Sequence, residues 1–151
     1  MNGPAVLTFS GIAEYLDVHP EHRETQARIY VKFRPEGVDA SIHFLALLDT
    51  GGYYCILRSD VAEMIEGHLT SRLDRVTIRT ARGLVRGDLY THRITMIADA
   101  GKSLEIDSLV FVSPEWDAPN FLGYTGVLDR TRFAIDPPRN RFYFTSPDSD
   151  L

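Results

Sequence analysis

The chain has 151 residues, the length of one domain, which excludes a large two-domain enzyme. Hydrophobic residues at 44% and charged residues at 25% are the proportions of a chain that folds, so disorder and fibrous repeats are excluded too. Sixteen basic against 21 acidic residues leave a net charge of -5, which argues against a nucleic-acid partner held by phosphate neutralisation and, taken globally, against an acidic substrate.

Cys55 is the one cysteine, so an internal disulfide and a multi-cysteine zinc site are both impossible, and a reducing compartment is favoured. Apolar runs are only a few residues long, and Met1 to Ser10 lacks the basic start and long apolar core of a secretory signal. The expectation is a cytoplasmic chain with no membrane partner.

Period-two alternation, many Thr, Tyr, Phe, Val and Ile residues, and turn residues about every ten positions predict an all-β domain with one or two short helices. Residues 1–26 form an amino-terminal extension that can add an edge strand. From Ala27 to Arg34, Ile29, Val31 and Phe33 share one face, until Pro35, Glu36 and Gly37 break the strand. Ile42 to Leu48 is almost wholly apolar, as a strand covered on both faces is, and it runs into the turn Asp49-Thr50-Gly51-Gly52.

Tyr53 to Leu57 reads as the next strand. Ser59 is placed to cap a helix that buries Val61, Met64 and Ile65 and stops at Gly67. Val76 and Ile78 open a hairpin whose tip Gly83 and Gly87 bracket, with Leu89 to Ala98 as its return strand. Leu104 to Val112 gives a further strand, and Pro114 and Pro119 mark a loop. Phe121, Leu122 and Gly123 precede a helical stretch near Thr125 to Arg130. Two closing strands, Arg132 to Asp136 and Arg141 to Thr145, flank Pro137 and Pro138, and residues 146–151 form a polar, flexible tail.

The chemically pointed feature is "ALLDTGG", Ala46 to Gly52, where a carboxylate stands at the end of a buried apolar strand. Burial disfavours ionised carboxyls, so Asp49 needs donors, a partner or a proton, and such carboxyls concentrate at active sites. Gly51 and Gly52 let their amides approach it. The bland alternative is that Asp49 caps a tight turn, as aspartate often does.

The motif resembles the catalytic signature of the retropepsin-like aspartic peptidases, and the resemblance extends over residues 27–145. "TIRTARGLVRGDLYTHRITM", Thr77 to Met96, falls where that family carries its β-hairpin flap. "NFLGYTGVLDRTRFAIDPPRNRFYF", Asn120 to Phe144, is similar to its paired apolar residues, glycine, short helix and closing strands. The resemblance implies an acid-protease half-barrel and a peptidase in which Asp49 is catalytic, with peptide or protein as substrate and no metal or organic cofactor. Thr50 would interlock with its counterpart in a second subunit, the Gly51 amide would hold the carboxylate, and Gly52, Leu122 and Gly123 would support the loop. Gly83, Leu84, Val85, Arg86 and Gly87 would form the flap and touch the peptide.

These peptidases need two signature aspartates and this chain has one such motif, so the resemblance implies a homodimer. Two like charges brought together cannot both ionise comfortably, and the pair would share one proton, giving a general base and a general acid. Gly52 stands where the family carries Ala or Ser, and Tyr53 and Tyr54 are large. These departures keep open a second reading, an inactive module using the same fold for dimerisation or peptide binding.

Other candidates are weaker. His19 and His22 in "HPEH" offer two imidazoles beside Glu21, but Pro20 breaks regular presentation and a solvated turn is favoured. Cys55, inside an apolar strand, reads as a buried thiol. Six arginines lie between Arg72 and Arg93; most read as a solvated hairpin face, while Arg82 and Arg86 would favour acidic peptides if they flank a cleft.

Overall fold

A computed structural model describes residues 7–21 and 28–148. Eleven strands and one α-helix follow in the order β1 (Gly11–Glu14), β2 (Tyr30–Pro35), β3 (Phe44–Tyr53), β4 (Cys55–Leu57), α1 (Ser59–Ile65), β5 (Asp74–Thr80), β6 (Gly83–Met96), β7 (Ala100–Gly101), β8 (Leu104–Val112), β9 (Asn120–Thr125), β10 (Arg132–Asp136) and β11 (Arg141–Thr145). The larger sheet runs β2-β3-β9-β4-β8-β6-β5, and β2 also pairs with β6, which closes six of its strands into a barrel. β5 stays outside that ring, paired only with the first half of β6.

Two apolar clusters explain the mixed pattern of the central strands. In β4, Cys55 and Leu57 point into the main core while Ile56 points into a second cluster; in β9, Leu122 and Phe121 divide the same way. Successive strand side chains face opposite ways, so a strand covered on both faces needs apolar residues at every position. β6 shows the same division along its length. Val85 and Leu89 belong to the second cluster, Ile94 and Met96 to the main core, so the buried parity changes near Tyr90.

The smaller sheet, β10-β11-β1-β7, covers the main core with Ala13, Phe142 and Phe144. The extension thus contributes a strand, but β1 stands between β11 and β7 rather than at an edge, because both of its sides find partners. Residues 1–6, 22–27 and 149–151 lie outside the described set, so the rest of the extension and the end of the tail are not placed.

Four local readings differ. Ser59 is the first helical residue of α1; Arg58 holds the cap position and no side chain bonds there. Met64 is 50% exposed, because Val61, Ala62 and Ile65 already fill the helix face turned to the core. A 3-10 turn, Glu66–His68, continues through Gly67. The helical stretch expected near Thr125 to Arg130 is likewise one 3-10 turn, Leu128–Arg130. No helix among the described residues is long and apolar enough to cross a membrane.

Candidate active site

β3 carries Asp49 where its parallel pairing with β9 becomes irregular, between the Asp49–Gly123 pair and the Tyr53–Thr125 pair. The strand has to bulge there, and two glycines make the bulge possible. The Gly51 amide donates to Asp49 Oδ1 at 3.1 Å. A Cβ on Gly52 would lie 2.7 Å from Asp49 Oδ2 and 3.0 Å from Cγ, so the carboxylate occupies the space a side chain at 52 would need. Glycine at this position therefore sets the orientation of the acid.

β9 threads between β3 and β4, parallel to the first and antiparallel to the second, and holds the loop from behind. Gly123 donates its amide to the Tyr54 carbonyl at 2.9 Å, and Tyr54 donates to the Thr125 carbonyl at 2.9 Å. Tyr54 itself adopts φ 65, a conformation rare for a bulky residue and held here by those two bonds. Leu122 is fully buried in the main core beneath the loop. Asn120, 6% exposed, adds a staple: its Nδ2 donates to the Leu45 carbonyl at 3.1 Å and its Oδ1 accepts the Arg58 amide at 2.7 Å. The residue opens the "NFLGYTG" stretch, yet its side-chain role was not legible there, because both partners are backbone groups distant in sequence.

In front of Asp49 lies a cleft of about 540 Å³. Its apolar lining comes from the second cluster, with Ile56, Ile78, Trp116 and Phe121 prominent, and residues 79–82 of the β5–β6 hairpin complete the lining. The Trp116 indole nitrogen donates to the Pro119 carbonyl at 3.0 Å, which fixes a ring that no motif had singled out. Tyr53 stands at the cleft, 63% exposed, while Tyr54 packs against the second cluster, so the cavity stays open.

The hairpin differs from its expected outline. Thr80 pairs with Gly83, so the turn is Ala81-Arg82 and its tip precedes the glycine-bracketed segment. Thr80 Oγ1 donates to the Gly83 carbonyl at 2.9 Å and accepts the Arg82 amide at 3.1 Å, closing a tight loop in which Gly83 takes φ 105. Gly87 lies well inside β6, opposite Val76; a Cβ there would meet Phe111 and the Val112 carbonyl oxygen, each at 2.5 Å. That glycine is a close approach between strands rather than part of a tip. Gly83, Leu84, Val85, Arg86 and Gly87 are absent from the cleft lining: Leu84 is exposed, and Val85 is buried in the second cluster. The cleft takes Ile78, Arg79, Thr80, Ala81 and Arg82 instead, because the tip is two residues wide and falls earlier.

Arg82 bonds Asp117 at 2.8 Å, linking the hairpin tip to the loop before β9. Arg86 does not line the cleft, and its carbonyl accepts the Ser113 hydroxyl. Thr50 is exposed beside Asp49. Cys55 is fully buried, and burial pushes its thiol up, leaving it neutral and unsuited to attack. The His19 ring meets Tyr30 edge-on at 5.1 Å and its Nδ1 accepts the Glu21 amide, while His22 lies outside the described residues.

A closed six-stranded barrel, a carboxylate on an irregular strand pair and a hairpin beside its cleft are the elements of a retropepsin-like fold, and that is the fold of this chain. It is similar to the crystal structure of a retropepsin-like aspartic protease from Rickettsia conorii at 18% identity and a TM-score of 0.52, covering 89% of this chain and 98% of that one. The retroviral protease-like domain of Ddi1 from Leishmania major matches at 19% identity and a TM-score of 0.48, covering 82% and 98%. No family model matches the sequence, and no curated protein does.

Proposed function

We propose that the chain is a homodimeric aspartic endopeptidase, with Asp49 of each of two subunits forming the catalytic pair. The observation that carries this reading is the carboxylate itself: Asp49 borders an open, largely apolar cleft, oriented by the Gly51 amide and by the absent side chain of Gly52. One chain offers one such acid, and peptide hydrolysis of this type needs an acid and a base together. The exposed surface beside it favours a second copy. Tyr53 is largely exposed and Tyr124 is 50% exposed, and both extend from the β3–β9 pair that bears Asp49.

In the dimer the two carboxyls hold one proton between them. The ionised member takes a proton from water as the water oxygen attacks the peptide carbonyl carbon, and the protonated member hydrogen-bonds the carbonyl oxygen as charge develops on it. The carbon–nitrogen bond then breaks, and a carboxyl proton passes to the departing amine. The hairpin serves as the flap: residues 78–82 close over an extended peptide and exclude water. Water is the nucleophile, and no metal or organic cofactor takes part.

The open cleft favours this reading over an inactive module, since Tyr54 is not among the residues lining the cavity and Tyr53 stands at its border. The test is Asp49→Asn. The variant should remain folded and dimeric while cleavage of peptide substrates disappears; cleavage at the wild-type rate refutes the assignment.

A further inference from the structure

The charged groups lining the cleft are three guanidinium groups, Arg28, Arg79 and Arg82, and a single carboxylate, Asp49. This balance is opposite to that of the whole chain, whose net charge is -5. A concave, partly apolar site focuses the field of the charges on its walls, so the Arg79 guanidinium acts there more strongly than it would on an open surface. We propose that the cleft selects peptides that carry an acidic residue next to a large apolar one, with Arg79 the principal reader of the acid.

The apolar partner follows from Ile56, Trp116 and Phe121, which line the same cleft and offer a surface suited to an aromatic or branched aliphatic side chain. The acidic partner follows from Arg79. This residue lies on β5 beside the hairpin tip, and its guanidinium has no carboxylate partner among the described residues. Arg82 is engaged by Asp117, but both side chains of that pair are well exposed, so a substrate carboxylate can compete for the guanidinium. Guanidinium groups suit this task because their planar donors meet a carboxylate in two parallel hydrogen bonds. Extended peptides alternate their side chains, so neighbouring acidic and apolar residues can be read separately, the acid by Arg79 and the apolar group by the apolar lining of the same cleft.

The inference deepens the peptidase reading and rests on it for turnover, but the charge preference can be read from binding alone. Three internally quenched peptides with a common Leu-Phe centre, flanked by Glu, Gln or Lys, provide the cleavage probe. Their counterparts bearing the zwitterionic dye tetramethylrhodamine provide the binding probe on Asp49→Asn. At about 0.05 M NaCl the Glu peptide should exceed the Lys peptide in kcat/KM by about fivefold or more, and the ratio should fall toward one at about 1 M, where the screening length is about 3 Å. Arg79→Glu should reverse the ratio and Arg79→Gln should flatten it. The salt dependence of the unmodified protein stands even if a variant folds poorly.

Cleavage that depends on Asp49 but treats the three peptides alike at low salt overturns the acidic preference and leaves the peptidase intact. Selective binding of the Glu peptide without cleavage of any peptide supports the preference while the peptidase reading falls. If no peptide is cleaved and none is bound selectively, the preference is overturned outright.

Discussion

Gly123 and Tyr54 are pressed together so tightly that a Cβ on the glycine would lie 2.6 Å from the Tyr54 carbonyl oxygen, the same atom that accepts the Gly123 amide at 2.9 Å. The same Cβ would come within 2.8 Å of the Tyr53 carbonyl carbon and 3.0 Å of that of Gly52. These are backbone atoms, which cannot swing aside as a side chain can. The loop that carries Asp49 is therefore held from behind by a strand that has room only for glycine.

Gly123→Ala should consequently damage the site and the fold together. Forcing a methyl group into a packed position costs about 1–3 kcal/mol, and here the shift falls on the residues after Asp49. The expected result is a lowered urea midpoint together with loss of peptide cleavage. A variant with unchanged midpoint and full cleavage would show that β9 does not restrain the loop.

Gly52→Ala separates orientation from stability. The atoms nearest the new methyl all belong to the Asp49 side chain, Oδ2 at 2.7 Å, so the clash is relieved by turning the carboxylate rather than by shifting the backbone. Thermal stability should stay close to the wild-type value and kcat should fall about tenfold or more, as expected when a reacting group is displaced. Equal kcat in the two proteins would mean that the orientation imposed by Gly52 is not the productive one.

Much of this frame was legible in the sequence, for identifiable reasons. Ile42 to Leu48 announced a covered strand, of which Phe44 to Leu48 lies in β3, and Gly51-Gly52 announced a break in regular structure, which is a bulge within β3 rather than a turn, because apolar density and glycine act locally. Gly87 misled because it appeared to mark a hairpin tip, whereas the requirement for glycine comes from Phe111 and Val112 on β8. The true tip, Ala81-Arg82, has no glycine of its own, and the residue with positive φ follows it at Gly83. Trp116, Arg28 and Arg79 were equally hidden, since they meet at the cleft only after β5, β8 and β9 assemble. Met64 was assigned to the core on spacing alone, and the three other helix residues that fill that face left it in solvent.

Asp99 supplies a pH-dependent tie outside the cleft. Its carboxylate accepts the Glu14 amide of β1 at 2.6 Å and pairs with the Lys32 ammonium of β2. Burial raises its pKa, but the bonds from Lys32 and Glu14 outweigh that effect and hold the carboxyl below its ordinary value. A depressed folded value means that the tie stabilises fully above the unfolded value of about 3.9 and is lost as pH falls through the folded one. The urea midpoint of Asp99→Asn should therefore lie below that of wild type by a constant amount from about pH 7 to about pH 5, with the gap shrinking below about pH 4. A gap that stays constant to about pH 2 would contradict the assignment.

The most direct test of the paired-acid account is subunit mixing. Wild-type and Asp49→Asn chains are unfolded together, refolded at constant total concentration, and assayed for peptide cleavage across the range of mixing ratios. If each working site needs Asp49 from both subunits, activity follows the square of the wild-type fraction and an equal mixture retains about a quarter of full activity. Activity that falls in simple proportion, with about half remaining in the equal mixture, would mean that one Asp49 suffices and would contradict the account.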